Sequence, residues 1–133
     1  MIYKKVLLER FSNISDELDV RLDVDVSEER TSPYVLTIIE KSRIVINPGL
    51  PDYRISYDIL LDCFILDDKN GEKFETFSKE IERICEDLSD RFVPINNRFD
   101  INDIVGCFFN GSVDGLTPTS NQRKFSIDLI ISK

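Results

Sequence analysis

The chain has 133 residues and carries 17 Lys plus Arg against 25 Asp plus Glu, a net charge of −8, with no histidine. Hydrophobic residues at 41% and charged residues at 32% describe a globular chain, and the length fits a single domain over residues 1–133 with a real core. The acidic excess argues against bulk attraction to nucleic acid or anionic membrane, and the missing histidine removes the commonest proton-transfer side chain and zinc ligand.

In chain order, Ile2, Val6, Leu7, Phe11, Ile14 and Leu18 recur at helical spacing, with Lys4, Lys5, Glu9 and Arg10 between them. The spacing predicts an amphipathic helix ending near residues 13–15. Leu18, Val20, Leu22, Val24 and Val26 then alternate with Asp19, Arg21, Asp23 and Asp25, as a one-sided strand with a solvated acidic face requires. Residues 27–33 have turn composition. Residues 34–39 and 43–46 are apolar runs separated by Glu40, Lys41 and Ser42, and fit either two short strands or one bent strand. Residues 47–52, with Asn47, Pro48, Gly49 and Pro51, form a loop.

Residues 54–66 predict a long central strand. Ile55, Tyr57, Ile59, Leu61, Cys63 and Ile65 share one parity, and Leu60, Phe64 and Leu66 lie on the other, which points to cover on both faces. Residues 67–71 end it as a turn. Phe74, Phe77, Ile81, Ile84, Cys85, Leu88 and Phe92 then mark a second amphipathic helix, stopped by Pro94. After a loop at 96–100, residues 104–109 predict a strand, and residues 110–124 a long polar loop. Phe125, Ile127, Leu129 and Ile131 alternate with Ser126, Asp128 and Ser132 in a final half-buried strand. The expected class is α+β, a mostly antiparallel sheet packed by two amphipathic helices.

Chemistry-bearing patterns are sparse. Asp68-Lys69-Asn70-Gly71 resembles the middle of a calcium loop, but aligning Gly71 with that loop's glycine puts Leu66 and Phe77 where carboxylates belong. A turn in which Asn-Gly supplies positive φ is the expectation instead. Gly106, Gly111 and Gly115 match neither the P-loop nor the dinucleotide fingerprint. Asn110-Gly111-Ser112 fits a glycosylation acceptor, which has no meaning in a cytoplasmic chain. Asp58, Asp62 and Asp128 are the nearest candidates for a carboxylate pair, yet a chain this acidic offers many such pairs by chance. Cys63, Cys85 and Cys107 each sit in an apolar run, as buried reduced thiols do, and no histidine exists to activate them. Neither a catalytic residue nor a cofactor or metal site is expected.

Nothing near the start has the apolar core of a signal peptide, because Glu9 and Arg10 break the run Val6-Leu7-Leu8. No stretch approaches the ~20 apolar residues of a membrane span. A soluble chain made in a reducing cytoplasm is the expectation, with no membrane partner and no sequence-specific nucleic-acid binding. The expected contact elements are the two loops, because loops on a rigid scaffold carry function. They supply Asn110, Gly111, Ser112, Asp114, Leu116, Thr117, Asn121, Arg123 and Lys124 from one, and Pro48, Leu50 and Asp52 from the other.

The order of elements resembles a known family. It comprises the N-terminal helix, the strand opening Ser32-Pro33-Tyr34-Val35-Leu36-Thr37-Ile38, and the long strand at 54–65. The helix Phe77-Ser78-Lys79-Glu80-Ile81-Glu82-Arg83-Ile84-Cys85-Glu86-Asp87-Leu88 and a terminal antiparallel pair follow. This pattern, spread over most of the chain, is similar to the tail terminator and head-to-tail joining (neck) proteins of long-tailed bacteriophages. The acidic strand at 18–26 and the net charge depart from that outline. The resemblance implies a structural virion protein assembled in the host cytoplasm. It implies a homo-oligomeric ring, commonly hexameric, contacting other tail or neck proteins, with no enzymatic activity and no cofactor. An acidic lumen would let DNA pass without sticking. A different reading of the same composition is a small acidic monomeric module, of inhibitor or immunity type, that binds a basic protein.

Overall fold

The computed structural model describes residues 2–18, 21–22, 34–46, 52–63, 68–89, 103–117 and 120–132. The chain is an α+β protein, and its described residues form a mostly antiparallel sheet and two helices. Its elements run α1 (Ile2–Leu18), β1 (Arg21–Leu22), β2 (Tyr34–Val45), β3 (Asp52–Cys63), α2 (Asp68–Ser89), β4 (Ile104–Thr117) and β5 (Ser120–Ser132). The sheet order is β1-β2-β3-β5-β4; β1 joins β2 in parallel, and every other neighbouring pair is antiparallel.

The parity of the strands decides which face is dry. On one face Tyr34, Leu36 and Ile38 of β2 stand opposite Cys63, Leu61 and Ile59 of β3. Ile55, Tyr57 and Ile59 stand in turn opposite Leu129, Ile127 and Phe125 of β5. All of these are buried, and they form one core with Tyr3, Val6, Leu7 and Phe11 of α1 and Phe74, Phe77, Ile81, Cys85 and Leu88 of α2. Phe77 meets Tyr34 edge-on with ring centroids 4.4 Å apart, a favoured aromatic geometry. We call this the inner face.

Several expectations change. The first helix runs on to Leu18, so Leu18 is helical and not the start of a strand; of the acidic run at 18–26 only Arg21 and Leu22 are described as strand. The two apolar runs around residue 40 are one strand, which absorbs Lys41 as an extra residue where the register slips between Glu40 and Ser42. Cover on both sides of β3 holds only in part: the inner parity is buried from Ile55 to Cys63, while on the outer parity Arg54 is exposed, Asp58 is buried and Leu60 and Asp62 are half-buried. Arg54, Ser56, Asp58 and Asp62 alternate with the core residues, leaving Leu60 as the one apolar residue of the outer parity. Phe64 and Leu66 lie outside the described residues.

Asp68, Asn70 and Gly71 belong to α2 and do not form a turn. A helix opening on Asp begins with a residue type that its positive N-terminal end favours. The loops expected at 27–33 and 96–100, together with Phe92 and Pro94, also lie outside the described residues.

Candidate interaction surface

The largest change is at residues 110–124. They do not form a loop: Asn110, Gly111, Ser112, Asp114, Leu116 and Thr117 lie in β4, and Asn121, Arg123 and Lys124 lie in β5. The two strands pair down to Thr117 opposite Ser120, with only residues 118 and 119 between them. Asn110 and Gly111 together oppose Ser126, and Gly111 takes φ +95°, as a bulge with glycine in the left-handed region requires. The sequence hides this hairpin because alternation of apolar and polar residues requires one dry face. Here Ser112, Val113, Asp114 and Gly115 are all exposed, and the ladder itself holds the strands.

Arg123 fastens this hairpin to α2. Its guanidinium donates to both carboxylate oxygens of Glu75 at 3.1 and 2.9 Å, and its Nε donates to Asp114 Oδ1 at 2.5 Å. It also lies 5.3 Å from the centre of the Phe74 ring. The Arg123 side chain is only 17% exposed, so of these two adjacent cations Arg123 is engaged within the chain and Lys124 is exposed. The same guanidinium holds the Asp114 carboxyl below the usual carboxylate range.

Pro48 and Leu50 lie outside the described residues. Asp52 begins β3, where its carbonyl accepts the Ile46 N–H at 3.1 Å and closes the end of the β2–β3 hairpin. Nearby, Arg43 donates to Glu40 at 2.9 and 3.1 Å and stacks over Tyr53. The Tyr3 hydroxyl reaches Asp103 at 3.4 Å.

The candidate carboxylates are parts of cross-strand rows on the outer face. Asp58 accepts from the Ser126 hydroxyl at 3.3 Å and meets Lys41 at 3.7 Å. Asp128 accepts from the Asn110 amide at 3.0 Å and meets Arg54 at 3.9 Å. Asp62 shares their parity, opposite Gln122. The two rows tie four neighbouring strands together, and Asp58 and Asp128 each face a cation. Among the described residues no group of three or more metal-ligating side chains converges. A cavity of about 220 Å³ opens between α1 and α2, lined by Arg10, Ile84, Asp87 and Leu88. It falls below the ~300–1,000 Å³ of ordinary ligand pockets.

What the sequence missed is the apolar surface at the two lateral sides of the sheet. At the β2 side Ile44 is 57% exposed and Val45 63%, with Ile46 beside them; at the β4 side Val105 is 49% exposed, Phe108 43% and Val113 64%. The run Ile44-Val45-Ile46 before Asn47-Pro48 was a signal, but a short apolar run reads equally well as buried strand. Among the described residues no helix is long and apolar enough to cross a membrane. No protein-family model matches the chain, and comparison with curated proteins gives no match.

Proposed function

We propose that the chain is a structural, non-enzymatic assembly protein, a ring-forming component of a phage tail–neck junction of the terminator or head-tail joining kind. Two amphipathic helices back the sheet and make each copy a rigid building block. The observation that carries this reading is the exposed apolar surface at both lateral sides of one sheet, at β2 and at β4. Two different patches on opposite sides suit a heterologous contact, in which one side of each copy meets the other side of the next; such contacts make rings when the rotation closes. The pattern of elements that resembles the terminator family points the same way. The virion location, the hexameric count and the contacts with other tail or neck proteins belong to this proposal.

Native mass spectrometry over a concentration series tests it. A closed ring of defined copy number is the expected result, held by apolar and sheet contacts and therefore little affected by salt. A monomer at the highest concentration, still monomeric beside tail and neck components, would sink the proposal.

A second reading has one observation in its favour. The outward side of α2 is net acidic, with Glu75, Glu82, Glu86 and Asp87 exposed beside Lys79 and Arg83, the sign that capture of a basic protein would need. Binding of that kind weakens steeply as ionic strength rises, which separates it from ring assembly.

A further inference from the structure

We infer that copies of this chain join edge to edge, the β4 side of one copy pairing antiparallel with the hairpin end of β2 in the next, so that one sheet continues around the assembly. The inference rests on the ring reading above and names the contact that builds it. Four observations carry it.

The first is position. Among the described residues β4 is the last strand of the sheet on one side, and on the other side β1 pairs with Val35 and Leu36 at the near end of β2, while Ile44 and Val45 at its far end are exposed. The second is direction. Because β2, β3, β5 and β4 alternate, β4 runs opposite to β2. Continuing the sheet by rotation, with all inner faces on one side, therefore makes the joint antiparallel like the four-strand core itself.

The third observation is level and face. Ser42 is opposite Ser56, Ser56 opposite Asp128, and Asp128 opposite Phe108; Ile44, Arg54, Ile130 and Gly106 form the next row. Ile44 and Phe108 thus lie in adjacent rows of the outer face. Joining the sides brings the two together as cross-strand neighbours, which stabilise antiparallel pairs.

The fourth is charge. The stretch of β4 between its bulges, residues 106–109, carries no charge, so nothing there repels or competes for Lys41 and Arg43 of β2, which are already paired with Asp58 and Glu40. β4 also lacks the lysine or proline that commonly guards an edge strand against pairing. Its bulges at Val105 and at Asn110–Gly111 leave a short straight stretch between them, which sets the joint at a few residues.

Two single substitutions and their mixture test the contact on the full chain. Ile44→Lys blocks the β2 side and Phe108→Lys blocks the β4 side; both side chains are exposed, so each variant should melt close to the parent. Each alone should need at least about tenfold higher concentration to assemble. Mixed, the two variants should form a heterodimer and stop there, because the β4 side of the first and the β2 side of the second remain intact.

Ile44→Lys alone forming dimers would mean that β4 pairs with β4 across a two-fold axis, and would overturn the inference. Rings that survive both substitutions would overturn it while leaving the ring proposal standing. A parent chain that never assembles removes both.

Discussion

Arg123 shows how one residue can look like a surface cation in sequence and act as a fastener in the fold. It joins Glu75 of α2, Asp114 of β4 and the Phe74 ring from its own place on β5. Exposed ion pairs contribute little, but this guanidinium is mostly covered, so Arg123→Ala should lower stability by about 1–2 kcal/mol in denaturant titration. Asp114, held below its ordinary carboxylate range, contributes stability above about pH 4 that is lost as the pH falls through its lowered value. Asp114→Asn should therefore flatten the acid limb of the stability curve. Tyr57 gives the opposite sign at the other limb. Burial pushes its hydroxyl up to about 12, with the Glu40 carboxylate adding to the shift. The neutral phenol is thus favoured in the fold: its contribution is complete below about pH 10 and lost as the pH rises towards 12. Replacing Tyr57 with Phe should spare about 1 kcal/mol of that alkaline loss by pH 11, read as a smaller drop in melting temperature between pH 8 and pH 11.

Among the elements, the β4–β5 hairpin departs furthest from sequence expectation, and Gly111 is where it turns on backbone conformation. At φ +95° an L side chain is strained even though a Cβ there would meet nothing within 4 Å. Gly111→Ala should thus cost about 1 kcal/mol through the backbone alone, a fall of a few degrees in melting temperature, while the β4–β5 amides stay protected in hydrogen exchange. The helices were the more legible elements. Phe74, Phe77, Ile81, Cys85 and Leu88 recur at the period of a helix face and all five are buried. What moved was the ends: α1 extends to Leu18 and α2 begins at Asp68, because a helix end depends on local hydrogen-bonding partners more than on the apolar stripe.

At the scale of the whole molecule, the described helices both contribute to the core on one side of the sheet, while the other side carries polar cross-strand rows with apolar residues at its margins. Such a margin is a place to meet another surface, so the two sides of the sheet, and not two loops, are the contact elements of the proposed ring. The residues first singled out fall differently. Asn110 stabilises the outer-face row with Asp128, Arg123 and Asp114 engage each other, and Lys124 stays exposed. By itself the sequence determined the class of the fold, the core face of each helix and of β3, and the half-buried final strand. Each of these follows from burial on one side, which writes a period of 3.6 or 2 into the chain. Only the tertiary structure decided that residues 110–117 and 120–124 are strand, that Arg123 is held by carboxylates from two other elements, and that Ile44 and Phe108 share a face in adjacent rows. Those facts rest on register and on contacts between residues far apart in the chain, which leave no period for a sequence to show.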